Sequence, residues 1–381
     1  MRYKNLQYWD GLGDLLQDGD ICVEGGRFVD ETSAESRDLS GCFAIPGLID
    51  AHIHLCLNPE IRDPNDQTLP GREQLLAEMR GRAEAMLRAG ITTARDLGGG
   101  QYLELQIRDE IVRGDISGPR LICAGQPITS TGGHCHFWGG EADSTEQALE
   151  VLERQDAHGV DLIKIMVTGG NITPGSAPKD SQFEDHTVCE VVRAANARDY
   201  HVAAHCHGTD GIRQAAEAGV TTVEHCSWVG ESGWGKQFDE GVVARLAENQ
   251  VWVSPTINSG WKRFKQEAFV EMVGGNYEKM KAAGVRLIAS TDAGIPNVFH
   301  HDLPLALPVF ASFAGLSNQE VLKSATSDCA TAIGLGDVTG AIRPGLSADF
   351  VVYEANPLED LAALENPVMV VSRGIATEIT R

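Results

Sequence analysis

Ile45-Pro-Gly-Leu-Ile-Asp-Ala-His-Ile-His-Leu55 is an apolar run of strand length whose far end carries polar side chains. Seven runs of similar character follow, at 92–97, 121–128, 162–168, 201–207, 222–226, 251–256 and 287–292. Between them the apolar spacing becomes helical, at 73–89, 102–113, 145–158, 185–198, 211–218, 239–249 and 266–283, and two further helical segments follow at 303–314 and 318–333. Eight strands alternating with helices predict an α/β chain built from parallel βα units, a (β/α)8 TIM barrel. A doubly wound open sheet is the alternative. The strand count favours the barrel, and so does the gathering of polar residues at strand C-terminal ends.

The two chain ends differ in kind. Residues 20–28 read as a hairpin turning at Gly25-Gly26, and 348–353 and 367–373 read as strands. Neither end could bury a core alone. The expected organisation is a small β-sandwich domain formed by 1–47 plus 338–381, around a barrel of residues 48–337.

The chain has 381 residues, with 31 Lys+Arg against 54 Asp+Glu and a net charge of −23. That balance argues against nucleic acid or an anionic membrane as partner, since both reward basic patches. A hydrophobic content of 42% supports a sizeable core and excludes a disordered chain. The 42 glycines fall singly or in pairs after apolar runs, as where many strands end in tight loops. Nine cysteines, an odd number in a long chain, do not suggest a disulfide framework and fit reduced thiols in a cytoplasm. Residues 1–16 lack a signal-peptide core, and the most apolar stretch, 303–316, is short and interrupted by Pro304 and Pro308.

The strand ends hold the chemistry. His52 and His54 are two apart in a strand, so both imidazoles can share one face and reach one cation. Lys164 lies among Leu162, Ile163, Ile165 and Met166, where a charged amine is costly. Either it pairs with a buried carboxylate, or it is neutral and carries a carbamate derived from carbon dioxide. His205 and His225 close the fifth and sixth runs, and Asp292 closes the eighth. Asp292 could cap the next turn, ligate a metal, or take a proton from a bound water. Four histidines, one lysine and one aspartate on five strand ends are too many ligands for one ion and suit two.

In this order the motifs become specific: Pro46-Gly-Leu-Ile-Asp-Ala-His-Ile-His54, Thr92-Thr-Ala-Arg-Asp-Leu-Gly98, Thr131-Gly-Gly-His134, Ile163-Lys-Ile-Met-Val-Thr-Gly-Gly170, Val202-Ala-Ala-His-Cys-His-Gly208, Val223-Glu-His225, Ser290-Thr-Asp-Ala-Gly294 and Gly345-Leu-Ser-Ala-Asp-Phe350. The chain resembles the amidohydrolase superfamily, in its imidazolonepropionase-like and Xaa-Pro dipeptidase-like branch. The resemblance implies a (β/α)8 barrel beside a β-sandwich, and two divalent cations, usually Zn2+, with Mn2+, Co2+ or Fe2+ as alternatives. It implies that His52, His54 and Asp292 hold one cation and His205 and His225 the other, with Lys164 as a carboxylated bridge. Asp292 would shuttle the proton of a metal-bridging hydroxide to the leaving group. The implied function is hydrolysis of an amide or peptide-type C–N bond in a small molecule such as a dipeptide, an N-acyl amino acid or a carbamate. An imidazolone hydrolase or ring deaminase is the alternative, disfavoured by Lys164, and a non-catalytic scaffold is the alternative of another class. The resemblance is compatible with a homo-oligomer.

Further groups are expected near this centre. His134 and His136 follow the third run and could bind a substrate carboxylate or oxyanion. His207 shares a face with His205, and Trp228 could wall the substrate pocket. Arg95 and Asp96 read as an ion pair under the site, and His300 and His301 as solvent-facing. Cys135, Cys206 and Cys226 read as small buried hydrophobes, and Cys56 as packing. Specificity is expected in the loops after strands one, three, seven and eight, including 57–71 and 258–264.

Overall fold

A computed structural model describes residues 1–63, 66–68 and 70–379. The opening apolar run is not one strand. It splits at Gly47 into Phe43–Pro46 and Leu48–Ile53, which belong to different sheets. The Gly47 amide donates to the Asp349 carbonyl at 3.0 Å, while that of Leu48 donates to Gly90 at 3.0 Å, so the chain changes sheets within one residue. A side chain at Gly47 would collide with the buried Thr92 hydroxyl and methyl groups. Gly47→Ala is therefore expected to cost roughly 1–3 kcal/mol through overpacking, measured by denaturant unfolding.

Leu48–Ile53, Ile91–Asp96 and Arg120–Cys123 form one parallel ladder. Ile163–Met166, Val202–Gly208, Thr222–Val229 and Trp252–Ser254 form a second. Isolated parallel bridges connect Ile128 with Ile165, Val253 with Leu287, and Ile53 with Ala293. The expected eighth strand, 287–292, makes only these single bridges at its flanks. The reason is local: the Thr291 amide donates to the Asp50 carboxylate at 3.1 Å rather than to a neighbouring strand, and Asp292 has a left-handed φ of 61°.

The helices follow the apolar spacing closely. Thr145–His158 starts under Ser144, whose hydroxyl accepts from the Gln147 amide, and ends at left-handed Gly159. The expected helix at 318–333 instead breaks into Asn318–Ser324, with a Ser317–Glu320 capping box, and Ser327–Ala332. Thr326 causes the break, with φ −137° and ψ −99°, outside the helical region. The main core lies between strands and helices and contains Ile53, Ala94, Ile163, Cys206 and Cys226. Both cysteines therefore act as small apolar side chains, as read.

The ends meet in one sheet in the order Ile375–Glu378, Pro367–Ser372, Phe350–Tyr353, Phe43–Pro46, Arg2–Tyr8, Gln17–Glu24, Arg27–Val29, with Ser36–Asp38 also paired to Arg2–Tyr8. The hairpin turns at Gly25 and Gly26, both at positive φ, as the sequence predicts. Tyr3 meets Phe350 edge-on at 5.1 Å in a second apolar cluster, a geometry worth about 0.5–1.5 kcal/mol beyond burial. Among the described residues no helix is long and apolar enough to cross a membrane.

Candidate active site

The C-terminal ends of the parallel strands converge on a cavity of about 490 Å³. His52 and His54 reach it together. Their Nε2 atoms are 3.3 Å apart, and Asp292 Oδ1 lies 3.3 Å from the first and 3.5 Å from the second. Each ring is oriented from behind. His52 Nδ1–H donates to Glu224 Oε2 at 2.9 Å, and His54 Nδ1–H donates to the Gly98 carbonyl at 2.9 Å. Donation from Nδ1 fixes the tautomer and leaves the Nε2 lone pair facing Asp292.

A second group faces the first. His205, His207 and His225 bring one ring nitrogen each within 4.8 Å of the others, and His52, His54 and Asp292 do the same. His205 Nε2–H donates to Gly169 at 3.0 Å, which frees Nδ1. His225 Nδ1 pairs with Thr256 Oγ1 at 2.8 Å and His207 Nδ1 with Ser227 Oγ at 2.9 Å, which frees both Nε2 atoms. His134 completes the histidine floor, its ring 4.5 Å from that of His205. Burial holds these rings neutral; it pushes His54, His134 and His207 each down to about 3.

Lys164 is buried, and its Nζ has no hydrogen-bond partner among the described residues. Of its two sequence readings, direct pairing with a carboxylate finds no partner here. Burial lowers its ammonium to about 8, so a neutral amine is accessible near neutral pH. Burial likewise pushes the Asp292 carboxyl up to about 7.

Several expectations are corrected. His225, Cys226 and Trp228 all adopt left-handed φ, 68°, 49° and 52°, and the pairing with the neighbouring strand slips there. This breaks the strand alternation. Trp228 is turned under the strand end against Phe238, at 4.8 Å, and does not line the cavity. Trp234 lines it instead, 4.8 Å from the His207 ring. His136 also stays outside, its Nδ1 bonded to Gly133 at 3.2 Å in its own tight turn. Arg95 and Asp96 do not pair, because neighbours in a strand face opposite sides. Arg95 crosses to Glu224 at 2.7 Å, and Asp96 accepts from the Leu55 and Gly98 amides. His300 is buried and bonded to the His54 carbonyl at 3.0 Å, whereas His301 is exposed. The loop after strand four contributes Asn171 and Ile172, which loop position had not suggested.

Two carboxylates of the site carried no assigned role in the sequence reading. Glu224 bridges Arg95 and His52 with no exposed surface. Asp50 accepts from the His52 and Thr291 amides and from the Thr291 hydroxyl. The available signal was an acidic residue inside an apolar strand: Val223 and Ile49 precede these carboxylates directly.

The profile of the amidohydrolase family matches residues 43–376, and the chain belongs to that family. Ochratoxinase of Aspergillus niger is 26% identical over 359 residues, spanning 85% of this chain and 72% of its own. Imidazolonepropionase of Mesorhizobium japonicum is 24% identical over 361 residues, spanning 84% and 80%. The crystal structure of a Xaa-Pro dipeptidase with bound methionine is similar with a TM-score of 0.86 at 26% identity, over 99% of both chains. The chain is thus an enzyme, a hydrolase acting on carbon–nitrogen bonds of amide or peptide type.

Proposed function

We propose that this chain is a binuclear-metal amidohydrolase that cleaves an amide or peptide-type C–N bond in a small molecule. The observation that carries the reading is the pair of three-donor groups together with the unpartnered amine of Lys164. The donors fit cations: each histidine is anchored through one nitrogen and presents the other, and burial keeps the rings neutral. Imidazole sets suit Zn2+ first, while a two-histidine, one-carboxylate set also suits Mn2+, Co2+ or Fe2+.

In this reading His52, His54 and Asp292 hold one cation, and His205 and His225 hold the other, with His207 beside them. Neutral Lys164 adds through Nζ to carbon dioxide, forming an N–C bond and releasing one proton. The carbamate so formed would supply oxygen donors that both cation-holding groups could share. When bound, the cations supply an activated water and polarise the scissile carbonyl. Asp292 takes a proton from the attacking water at its carboxylate and returns it to the departing nitrogen. In this reading His134, which lines the cavity, holds the substrate's oxygen. Lys164 also sets this reading above ring deamination. The eight strand-like segments are read as a closed (β/α)8 barrel spanning 48–337, with 1–47 plus 338–381 as the β-sandwich; the bridges at 128, 287 and 293 support closure.

Two divalent cations per chain are expected by elemental analysis. Protein equilibrated with 13C-bicarbonate is expected to show a carbamate resonance by NMR, and Lys164→Met is expected to remove that resonance and at least one cation. One cation per chain with no carbamate would overturn the reading.

A further inference from the structure

Arg263 ends the short 3-10 helix Ser259–Arg263, in the loop that follows strand Trp252–Ser254. It lines the cavity yet is exposed, whereas the histidines, Lys164 and Met166 that line the same cavity are buried. That contrast places it at the mouth. Its guanidinium lies over the Phe264 ring at 4.7 Å and makes no hydrogen bond or ion pair among the described residues. The other charged side chains lining the cavity, Lys164 and Asp292, belong to the floor.

The wall between floor and mouth is aromatic. Trp261 meets Phe264 at 5.5 Å, and Phe264 meets Phe269 at 5.0 Å. Trp234 continues this lining down to His207. A cavity of this size takes a ligand of roughly dipeptide dimensions. Its walls reward a flat apolar group, and a guanidinium stacked on a ring keeps its in-plane N–H donors free for a planar anion. Among the described residues that line the cavity, Arg263 is the one cationic side chain away from the floor, so an anionic group of a ligand that spans the cavity has a partner at the mouth.

We infer that Arg263 docks a carboxylate of the substrate, and that the substrate's remaining bulk is aromatic or otherwise large and apolar. The assignment concerns where the anion sits: at the mouth, across an aromatic wall from the histidine floor. This rests on the hydrolase reading for which bond is cut, but not for where the anion sits.

The test measures binding of two probes without a scissile amide, 3-phenylpropanoate and 3-phenylpropan-1-ol, to the metal-loaded chain. Quenching of Trp234 and Trp261 or calorimetry reports it. The carboxylate is expected to bind about tenfold more tightly than the alcohol. Arg263→Met is expected to abolish that preference while leaving the alcohol's affinity in place. Lys262→Met, which removes the same charge one residue away and outside the cavity lining, is expected to preserve the preference. No preference in the parent chain, or a preference that survives Arg263→Met because the floor holds the anion, overturns the inference. Carboxylate preference without cleavage of any amide would remove the hydrolase reading and leave this one. Amide cleavage indifferent to a substrate carboxylate would remove this one alone.

Discussion

Asp292→Asn is expected to lower kcat by about 10³-fold in a screen of dipeptides, N-acyl amino acids, carbamates and lactams, with a smaller change in KM. That factor corresponds to about 4 kcal/mol of transition-state stabilisation. Asparagine keeps the size of the side chain and one oxygen for the cation beside His52 and His54. It cannot accept the proton of the attacking water and pass it on. Cation content and far-ultraviolet dichroism check that the variant is folded and loaded. The pH profile carries a second expectation. A base must be ionised to act, so activity falls as pH drops and Asp292 gains its proton. Burial first, and the nearby carboxylates of Glu224 and Asp50 after it, push that carboxyl up to about 7 against the pull of Lys164, and cations beside it would lower it, so the acid limb is expected below pH 7. Unchanged turnover in Asp292→Asn would remove this residue from the chemistry.

Glu224→Ala is expected to be the most destabilising single change at the site, by about 3–5 kcal/mol in denaturant unfolding. The carboxylate has no exposed surface, and its partners are as buried as it is. One oxygen accepts from Arg95 at 2.7 Å and from the Thr222 hydroxyl at 2.5 Å, and the other holds His52 at 2.9 Å. Its removal leaves the Arg95 guanidinium charged and uncompensated in the interior. Glu224→Gln keeps the shape and should cost less, yet weaken cation binding by roughly 10- to 100-fold because His52 loses its charged anchor. The double change Arg95→Met with Glu224→Leu should regain most of the stability but not the cation affinity, since it removes the buried charges without restoring the hold on His52. A Glu224→Ala chain within 1 kcal/mol of the parent would contradict this account.

Sequence periodicity carries much of this architecture because two simple rules operate over most of its length. Strand alternation put His52 with His54 and sent Cys206 to the helix layer, and helical spacing located Thr145–His158 and Leu303–Ala314 to the residue. The failures occur where backbone or partner choice departs from those rules. Left-handed φ at His225, Cys226 and Trp228 is invisible to alternation, since none is glycine, so Trp228 was placed in a wall that Trp234 forms. Arg95 is adjacent to Asp96 in sequence but pairs with Glu224, 129 residues away. Ser36–Asp38 is a strand of three exposed polar residues with no apolar pattern to read. His300 sits in a polar loop, and only the return of that loop onto His54 buries it.

Phe43–Pro46 lies between two partners of very different origin. One side pairs with Arg2–Tyr8, made moments before it, and the other with Phe350–Tyr353, about three hundred residues further on. On a ribosome the first pairing can form early and then waits, its free edge exposed, until about three hundred further residues have been synthesised. Such distant contacts are slow to form and leave an unpaired strand edge open to other chains in the interval. This sheet therefore closes only after the parallel strands between its two halves have been made, and the Phe43–Pro46 edge is a place where a nascent copy is open to mispairing.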